Sequence, residues 1–388
     1  MVRQAKVFRE KQGIDVRMEH GVEAVDPARK TVLGKTAEGR SFEIPYDKLL
    51  IATGARPIIP ALPGFDLPGV MALKSLGDGR KIKQFIKENK VKKAVIIGMG
   101  YIALEMCEAL RAREIEVVMV KPRPVLLPWM NENLSTMVKE EIEANKVEMR
   151  PGHRVERIEE YGTGPKVICS DLELEGQMVL VAIGVRPSSE LGEKAGLELG
   201  PEKAIAVQKT LLTSDAHIYS AGDCADAFHV VTGEKTWIPL ALRANRAGWA
   251  VADNVTGRKA ELQGVAGTAV FKVFDLQVAR TGLTASEAEK SGFEPTEVMI
   301  QSRSRAHAHP GSSIIGVQMV GDRKSGRLLG VQMVGREGIA HRVNAPAVAL
   351  HAKMTVEEFS QSDLAYAPPF GPTWDPMLTA ANQLLKRM

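Results

Sequence analysis

Residues 94–123 read AVIIGMGYIALEMCEALRAREIEVVMVKPR, and this stretch decides the fold. A short apolar run, 94–97, leads into Gly98-Met99-Gly100-Tyr101-Ile102-Ala103; a helical pattern follows to about residue 113, and a second apolar run covers 117–120. Strand, tight turn, helix and strand at this length make a βαβ unit. Gly98 permits the turn, Gly100 lets the backbone approach a pyrophosphate, and Ala103 allows the helix to pack closely on the strand. Tyr101 and Ile102 open a helix whose unpaired N–H groups face the phosphate charge. An ordinary loop before a helix needs no strand on both sides at this spacing, so the pattern predicts dinucleotide binding.

The end of the second strand separates NAD from NADP. An acidic residue there, about 20 residues past the turn, hydrogen-bonds the ribose hydroxyls of NAD. Here the place holds Lys121-Pro122-Arg123. Two cations cannot accept those bonds but can hold a 2′-phosphate. NADPH is therefore favoured over NADH, a solvated basic strand end being the plainer explanation of the same residues.

The chain has 388 residues, enough for two or three domains. Its 44% hydrophobic and 25% charged content describes a soluble globular protein, and a formal charge of +4 gives no case for nucleic acid or a membrane surface. No apolar run approaches the ~20 residues of a membrane span. The N-terminus lacks an apolar signal core, which predicts a cytoplasmic protein. Three scattered cysteines, Cys107, Cys169 and Cys224, make neither a disulfide framework nor a zinc site.

Residues 4–12 resemble the end of a helix, and 14–44 alternate as a small antiparallel meander. A buried strand enters the turn Ala52-Thr53-Gly54, and a helix is expected over about 79–89. After Arg123 come a helix over 131–145 and a second meander over 147–180, ending in Ile183-Gly184-Val185-Arg186-Pro187. Short strands over 204–223 end at Gly222-Asp223, and a helix covers 239–256. From about residue 267 a run of antiparallel strands with two helices is expected.

Together these pieces resemble the two-dinucleotide flavoproteins, the pyridine nucleotide–disulfide oxidoreductases. The signals are Ala52-Thr53-Gly54, the run from Gly98 to Glu105, Ala182 to Pro187, and Tyr219-Ser220-Ala221-Gly222-Asp223. Asp363 to Phe370 with Trp374-Asp375-Pro376 is similar to the branch of coenzyme A disulfide reductases, NADH oxidases and persulfide reductases. The resemblance implies an α/β chain with two Rossmann-like domains and an α+β C-terminal dimerisation domain. Its partition would be 1–77 with 201–264 for FAD, 78–200 for NAD(P), and 265–388 for dimerisation.

The resemblance also implies roles. Asp223, after Gly222, would hydrogen-bond the ribityl chain of FAD, with Thr53 and Gly54 against the cofactor. Leu240 and Ala241 would bring a helix N-terminus to the flavin ring, although Pro239 would start any helix equally well. Gly184 belongs to the turn after the coenzyme domain's last strand. Tyr101 would shield the flavin until nicotinamide displaces it, and Glu105 would point at the nicotinamide ribose or the flavin edge. Tyr366, reaching a homodimer partner's site, could donate a proton to a leaving thiolate; packing against Pro368 and Phe370 accounts for it as well.

Two family features are missing. Residues 1–50 contain no G-x-G-x-x-G for FAD, and the redox cysteine after it is absent. The expectation is a chain beginning after an opening βαβ unit of roughly 30 residues. None of the three cysteines is a natural replacement nucleophile. Ser304 to Gly311 departs from the branch's H-A-x-Y-Y-P-G, with His309 at a tyrosine position or one residue deleted, which weakens coenzyme A disulfide as the substrate. Alternating His307 and His309 could share a strand face and bind metal, but nothing completes a site; Arg303, Arg305 and His307 could meet phosphates of a coenzyme A thiol, or form a solvated edge. The expected chemistry is FAD-dependent reduction of a disulfide, persulfide or related small sulfur substrate by NADPH or NADH. A noncatalytic NADP(H)-binding, dimerising remnant and an NAD(P)H oxidase using O₂ are the alternatives.

Overall fold

In the computed structural model, which describes residues 4–162 and 164–388, the Lys93–Ile97 strand lies at the middle of a five-stranded parallel sheet. The order is Val70–Ala72, Met178–Val181, Lys93–Ile97, Glu116–Lys121, Glu148–Pro151. Ala94, Val95, Ile96 and Ile97 pair with Val117 to Val120 on one side and with Met178 to Val181 on the other. All these residues are buried, as expected of a strand covered on both faces. The second meander is therefore smaller than its alternation suggests. Only Val155–Tyr161, Gly164–Cys169 and Glu173–Glu175 form an antiparallel sheet, while the strands at both ends of that region join the parallel one. Apolar runs at the ends of a meander do not reveal their partners.

Local chemistry sets the helix boundaries. The first helix after residue 70 is Leu76–Glu88, three residues earlier than expected, because Ser75 and Asp78 form a capping box. Asn131 caps Glu132–Ala144 by accepting from the Asn133 N–H at 3.0 Å.

The chain divides into two units. One comprises Arg56–Arg186, His229–Glu234 and Val265–Met388. In it, the antiparallel sheet Ala269–Val273, Leu276–Gly282, Leu328–Gly335, Ile314–Asp322, Pro295–Arg303 (in spatial order) shares a core with the parallel sheet. Phe271, Val273, Leu276 and Val278 pack with Leu104, Cys107, Met119 and Leu134. Ion pairs reinforce the seam: Lys272 with Glu108 at 2.8 Å and Arg336 with the buried Glu141 at 2.8 Å. Five short helices accompany this sheet rather than two: Ala285–Lys290, Ile339–Arg342, Asn344–His351, Val356–Ser360 and Pro376–Leu385. Four of them, of four to eight residues, are too short to show a helical period.

The other unit comprises Met1–Ala55, Pro187–Phe228 and Lys235–Gly264. It holds the antiparallel meander His20–Asp26, Thr31–Thr36, Ser41–Pro45, a parallel pair of Leu49–Ile51 with Ile218–Ser220, and the helix Ala241–Val255. Among the described residues no helix is long and apolar enough to cross a membrane, and no group of three His, Cys, Asp or Glu side chains could hold a metal.

Candidate coenzyme-binding site

The glycine bend stands at the carboxyl end of the parallel sheet, where ligands of such sheets bind. Its two glycines do different work. Gly98 has φ +117°, and a Cβ there would press on the Ala182 carbonyl, 2.7 Å from its carbon. The close approach is made by the neighbouring strand, which is tied on by Ala182 N–H donating to Ile97 O at 2.8 Å. Gly100 has φ −91°, which any residue can adopt, and a Cβ there would meet nothing within 4 Å. The space above Gly100 is open, a cradle that a side chain would fill.

The helix Tyr101–Arg111 starts on Gly100 with no side chain capping it. Its first N–H groups have no intrahelical partners, as at any helix start, and no side-chain cap meets them. Ala103 is fully buried against the sheet, and Ile102 is half-buried. These residues fit a pyrophosphate at a helix N-terminus. Gly184, with φ +128° and exposed, follows the adjacent strand and accepts from the Ile58 N–H at 3.0 Å.

At the end of Glu116–Lys121 the two cations part company. Lys121 is 9% exposed, and its ammonium donates to Val125 O at 2.6 Å, closing the loop that follows the strand. Burial, then the charge of Arg123, push its pKa down. Arg123 is exposed. Of the pair expected to face a 2′-phosphate, Arg123 has the free reach, and Lys121 supports the loop.

Tyr101, the first helical residue, has its ring in an aromatic slot. It stacks on Phe271 at 4.6 Å and 28° and meets Trp129 edge-on at 5.8 Å and 90°. Burial pushes its phenol up, while the nearby Arg280 guanidinium pulls the other way. Nothing in the sequence marks these partners, which come from strands and loops far along the chain. Glu105 lies one helical turn on and is exposed; desolvation, and then the Glu108 carboxylate, push its carboxyl up.

In the other unit, the Gly222–Cys224 turn carries Asp223, which is half-buried. Gly222, at φ +81°, again borders open space. The turn is fixed from behind: buried Arg243 donates to Gly222 O at 2.8 Å and Ala225 O at 2.9 Å, and Trp237 Nε1 donates to Asp223 O at 2.8 Å. Arg243 stands out in the sequence only as one arginine in an Ala-rich helix. Thr53 donates to Ser188 O at 2.5 Å, and Gly54, at φ +73°, has nothing within 4 Å of a would-be Cβ. Leu240 is the N-cap and Ala241 the first residue of Ala241–Val255, with no side-chain cap. Two open glycines and a bare helix N-terminus fit the part of a flavin cofactor that these segments would touch.

Tyr366 lies on an irregular segment, 49% exposed, with Phe370 and Trp374 exposed beside it in sequence. That segment is pinned by Arg342, whose Nε donates to Asp375 at 2.8 Å and whose Nη2 donates to Phe370 O at 2.6 Å. The histidine expectation is corrected. The strand ends at Arg303, so His307 and His309 fall in a turn, with His309 N–H donating to Ala306 O at 2.9 Å. Arg305 is likewise spent within the fold, bridging Glu337 through Nε at 2.7 Å and Nη2 at 2.9 Å.

All three cysteines are buried. Burial pushes the Cys107 thiol up to about 12 and the Cys169 thiol up to about 11. Cys224 donates to Ala221 O at 3.3 Å.

Comparison with known proteins gives the family. Residues 2–248 match the family described as pyridine nucleotide-disulphide oxidoreductase, and residues 268–377 match its dimerisation domain. The chain belongs to this family. Its members are flavin-dependent NAD(P)H oxidoreductases. The NAD(P)H sulfur oxidoreductase (CoA-dependent) of Pyrococcus furiosus is 36% identical over 380 residues, 98% of this chain and 85% of that protein. An NADH oxidase of Methanocaldococcus jannaschii is 33% identical over 98% of this chain and 85% of its own length. Among solved structures, the NAD-dependent persulfide reductase from A. fulgidus superposes with a TM-score of 0.95 at 35% identity, covering 99% of this chain and 72% of that one.

Proposed function

We propose that this chain is an FAD-dependent NAD(P)H oxidoreductase acting on a small sulfur substrate, a persulfide or the disulfide of a thiol such as coenzyme A. The observation that carries the reading is the glycine bend, closed at Gly98 by backbone and open at Gly100 over a bare helix N-terminus. The relatives support the substrate class, since those most similar over nearly the whole chain include a CoA-dependent sulfur oxidoreductase and a persulfide reductase.

In this reading residues 78–200 hold the coenzyme, 1–77 with 201–264 hold FAD, and 265–388 hold the homodimer. Gly98, Gly100, Ile102 and Ala103 place the coenzyme pyrophosphate on the helix N–H groups. Arg123 binds a 2′-phosphate as a fork, which favours NADPH. Glu105 orients the nicotinamide ribose, or faces the flavin edge, as a hydrogen-bond acceptor. Gly184 forms the turn beside the coenzyme, and Thr53, Gly54, Gly222, Asp223, Leu240 and Ala241 line the flavin. FAD, when bound, carries the electron pair between nicotinamide and sulfur. Tyr366 gives a proton to the leaving thiolate.

A second reading is favoured by the cysteines. Among the described residues no thiol is exposed, so a step through an enzyme-bound disulfide has no nucleophile there. NAD(P)H oxidation by O₂ needs none. A remnant that binds coenzyme and dimerises without catalysis is the third. One experiment separates them: purified protein is scanned for flavin absorbance, then NADPH consumption is followed with coenzyme A persulfide, coenzyme A disulfide or O₂ as sole acceptor. Turnover with a sulfur acceptor supports the proposal. Turnover with O₂ alone moves the assignment to the oxidase, coenzyme binding without flavin or turnover moves it to the remnant, and failure to bind NADPH or NADH overturns the site.

A further inference from the structure

We propose that Arg280 is a positioning residue that latches Tyr101 in the slot between Phe271 and Trp129 and thereby keeps the Gly98–Gly100 bend open to coenzyme. This rests on the reading of that bend as the coenzyme cradle. The Tyr101 ring starts from the residue next to Gly100, and its present setting is turned into the slot, stacked at 4.6 Å on Phe271. In this proposal a ring released to another staggered χ1 setting lies across the helix N–H groups beside Gly100. What holds it back is an assembly from the Leu276–Gly282 strand and the helix after it.

The Arg280 guanidinium lies over the Trp129 ring at 5.0 Å, which fixes the slot's edge-on wall. Its Nη2 donates to Glu287 Oε2 at 3.0 Å and to Gly282 O at 3.2 Å. Glu287 is itself immobilised, accepting the Thr284 N–H at 2.8 Å in the capping box of Ala285–Lys290. The cation thus stands on a rigid base beside the phenol, opposing the upward push of burial on its pKa. Phe271 alone would hold any flat apolar ring. A charge beside the hydroxyl gives a tyrosine, rather than a phenylalanine, a preferred place there.

The test is a double-mutant cycle read by calorimetric titration of the purified protein with NADPH and with NADH. Arg280→Met is expected to weaken coenzyme binding about fivefold, the worth of one ordinary hydrogen bond, and to raise the phenol pKa of one tyrosine in an ultraviolet titration. In a Tyr101→Ala background, where no ring can cover the bend, Arg280→Met is expected to change nothing. Arg280→Lys keeps the charge but loses the planar fork and stack; it should give a smaller effect in the same direction, again absent with Tyr101→Ala, and it serves if the methionine variant does not fold. Equal weakening in both backgrounds, or none in either, overturns the latch while leaving the coenzyme assignment intact. Absence of NADPH and NADH binding by the unmodified protein overturns both.

Discussion

Gly100→Ala separates coenzyme binding from folding. The backbone there has φ −91° and ψ −171°, a conformation alanine adopts without strain, and the added methyl meets no protein atom within 4 Å. The structural cost is confined to a poorer helix N-cap, about 0.5–1 kcal/mol, or a fall in Tm of roughly 1 °C for a chain of this size. The functional cost is larger. The methyl occupies the space where a diphosphate oxygen must approach the helix N–H groups, and losing two such charge-assisted hydrogen bonds is worth about 3 kcal/mol, on the order of a hundredfold in Kd. Gly98→Ala is the counterpart. It forces alanine to φ +117° and drives a methyl into the Ala182 carbonyl. Left-handed strain of roughly 1–2 kcal/mol and overpacking of roughly 1–3 kcal/mol then add, so stability falls with affinity. Titration calorimetry with NADPH and thermal unfolding of both variants check the pair. Gly100→Ala binding NADPH within twofold of the parent would refute the cradle.

Arg123→Ala should lower the preference for NADPH over NADH about tenfold, with Lys121→Met leaving it nearly unchanged, because Lys121 is committed to Val125 O; competition by each coenzyme measures this. His229 is 7% exposed and burial pushes its pKa down from 6.5 to about 4. The folded state binds this proton less readily than the unfolded chain, so its neutral form supports full stability above pH 6.5, and stability falls between pH 6.5 and about 4. The loss is up to about 3 kcal/mol, and His229→Gln should remove this component of a urea-unfolding pH profile. The buried cysteines should resist an aromatic disulfide reagent at neutral pH, and all three should react once the chain is unfolded in guanidinium.

The glycine bend was legible because its geometry is local. A glycine bend between a strand and a helix is written in consecutive residues, and the structure places Gly98, Gly100 and Ala103 where that writing puts them. The capping boxes at Ser75 and Thr284 are equally local. Lys121 and Arg123 show the limit. They are alike as sequence, and only the fold turns one ammonium inward to a carbonyl and leaves the other cation exposed. His307 and His309 alternate as a strand does, yet the strand has already ended at Arg303.

The sequence by itself determined the family, the βαβ unit and the positions of its glycines, since turn geometry and hydrophobic period depend on neighbours within a few residues. Tertiary structure decided which apolar runs joined the parallel sheet, what Tyr101 rests on, and which arginines are free to meet a ligand. These depend on contacts between residues that are not neighbours in sequence, and some lie more than a hundred positions apart, such as Tyr101 with Phe271 and Lys272 with Glu108. No local pattern encodes such pairs, because they form only when the burial of two sheets in one core brings the segments together.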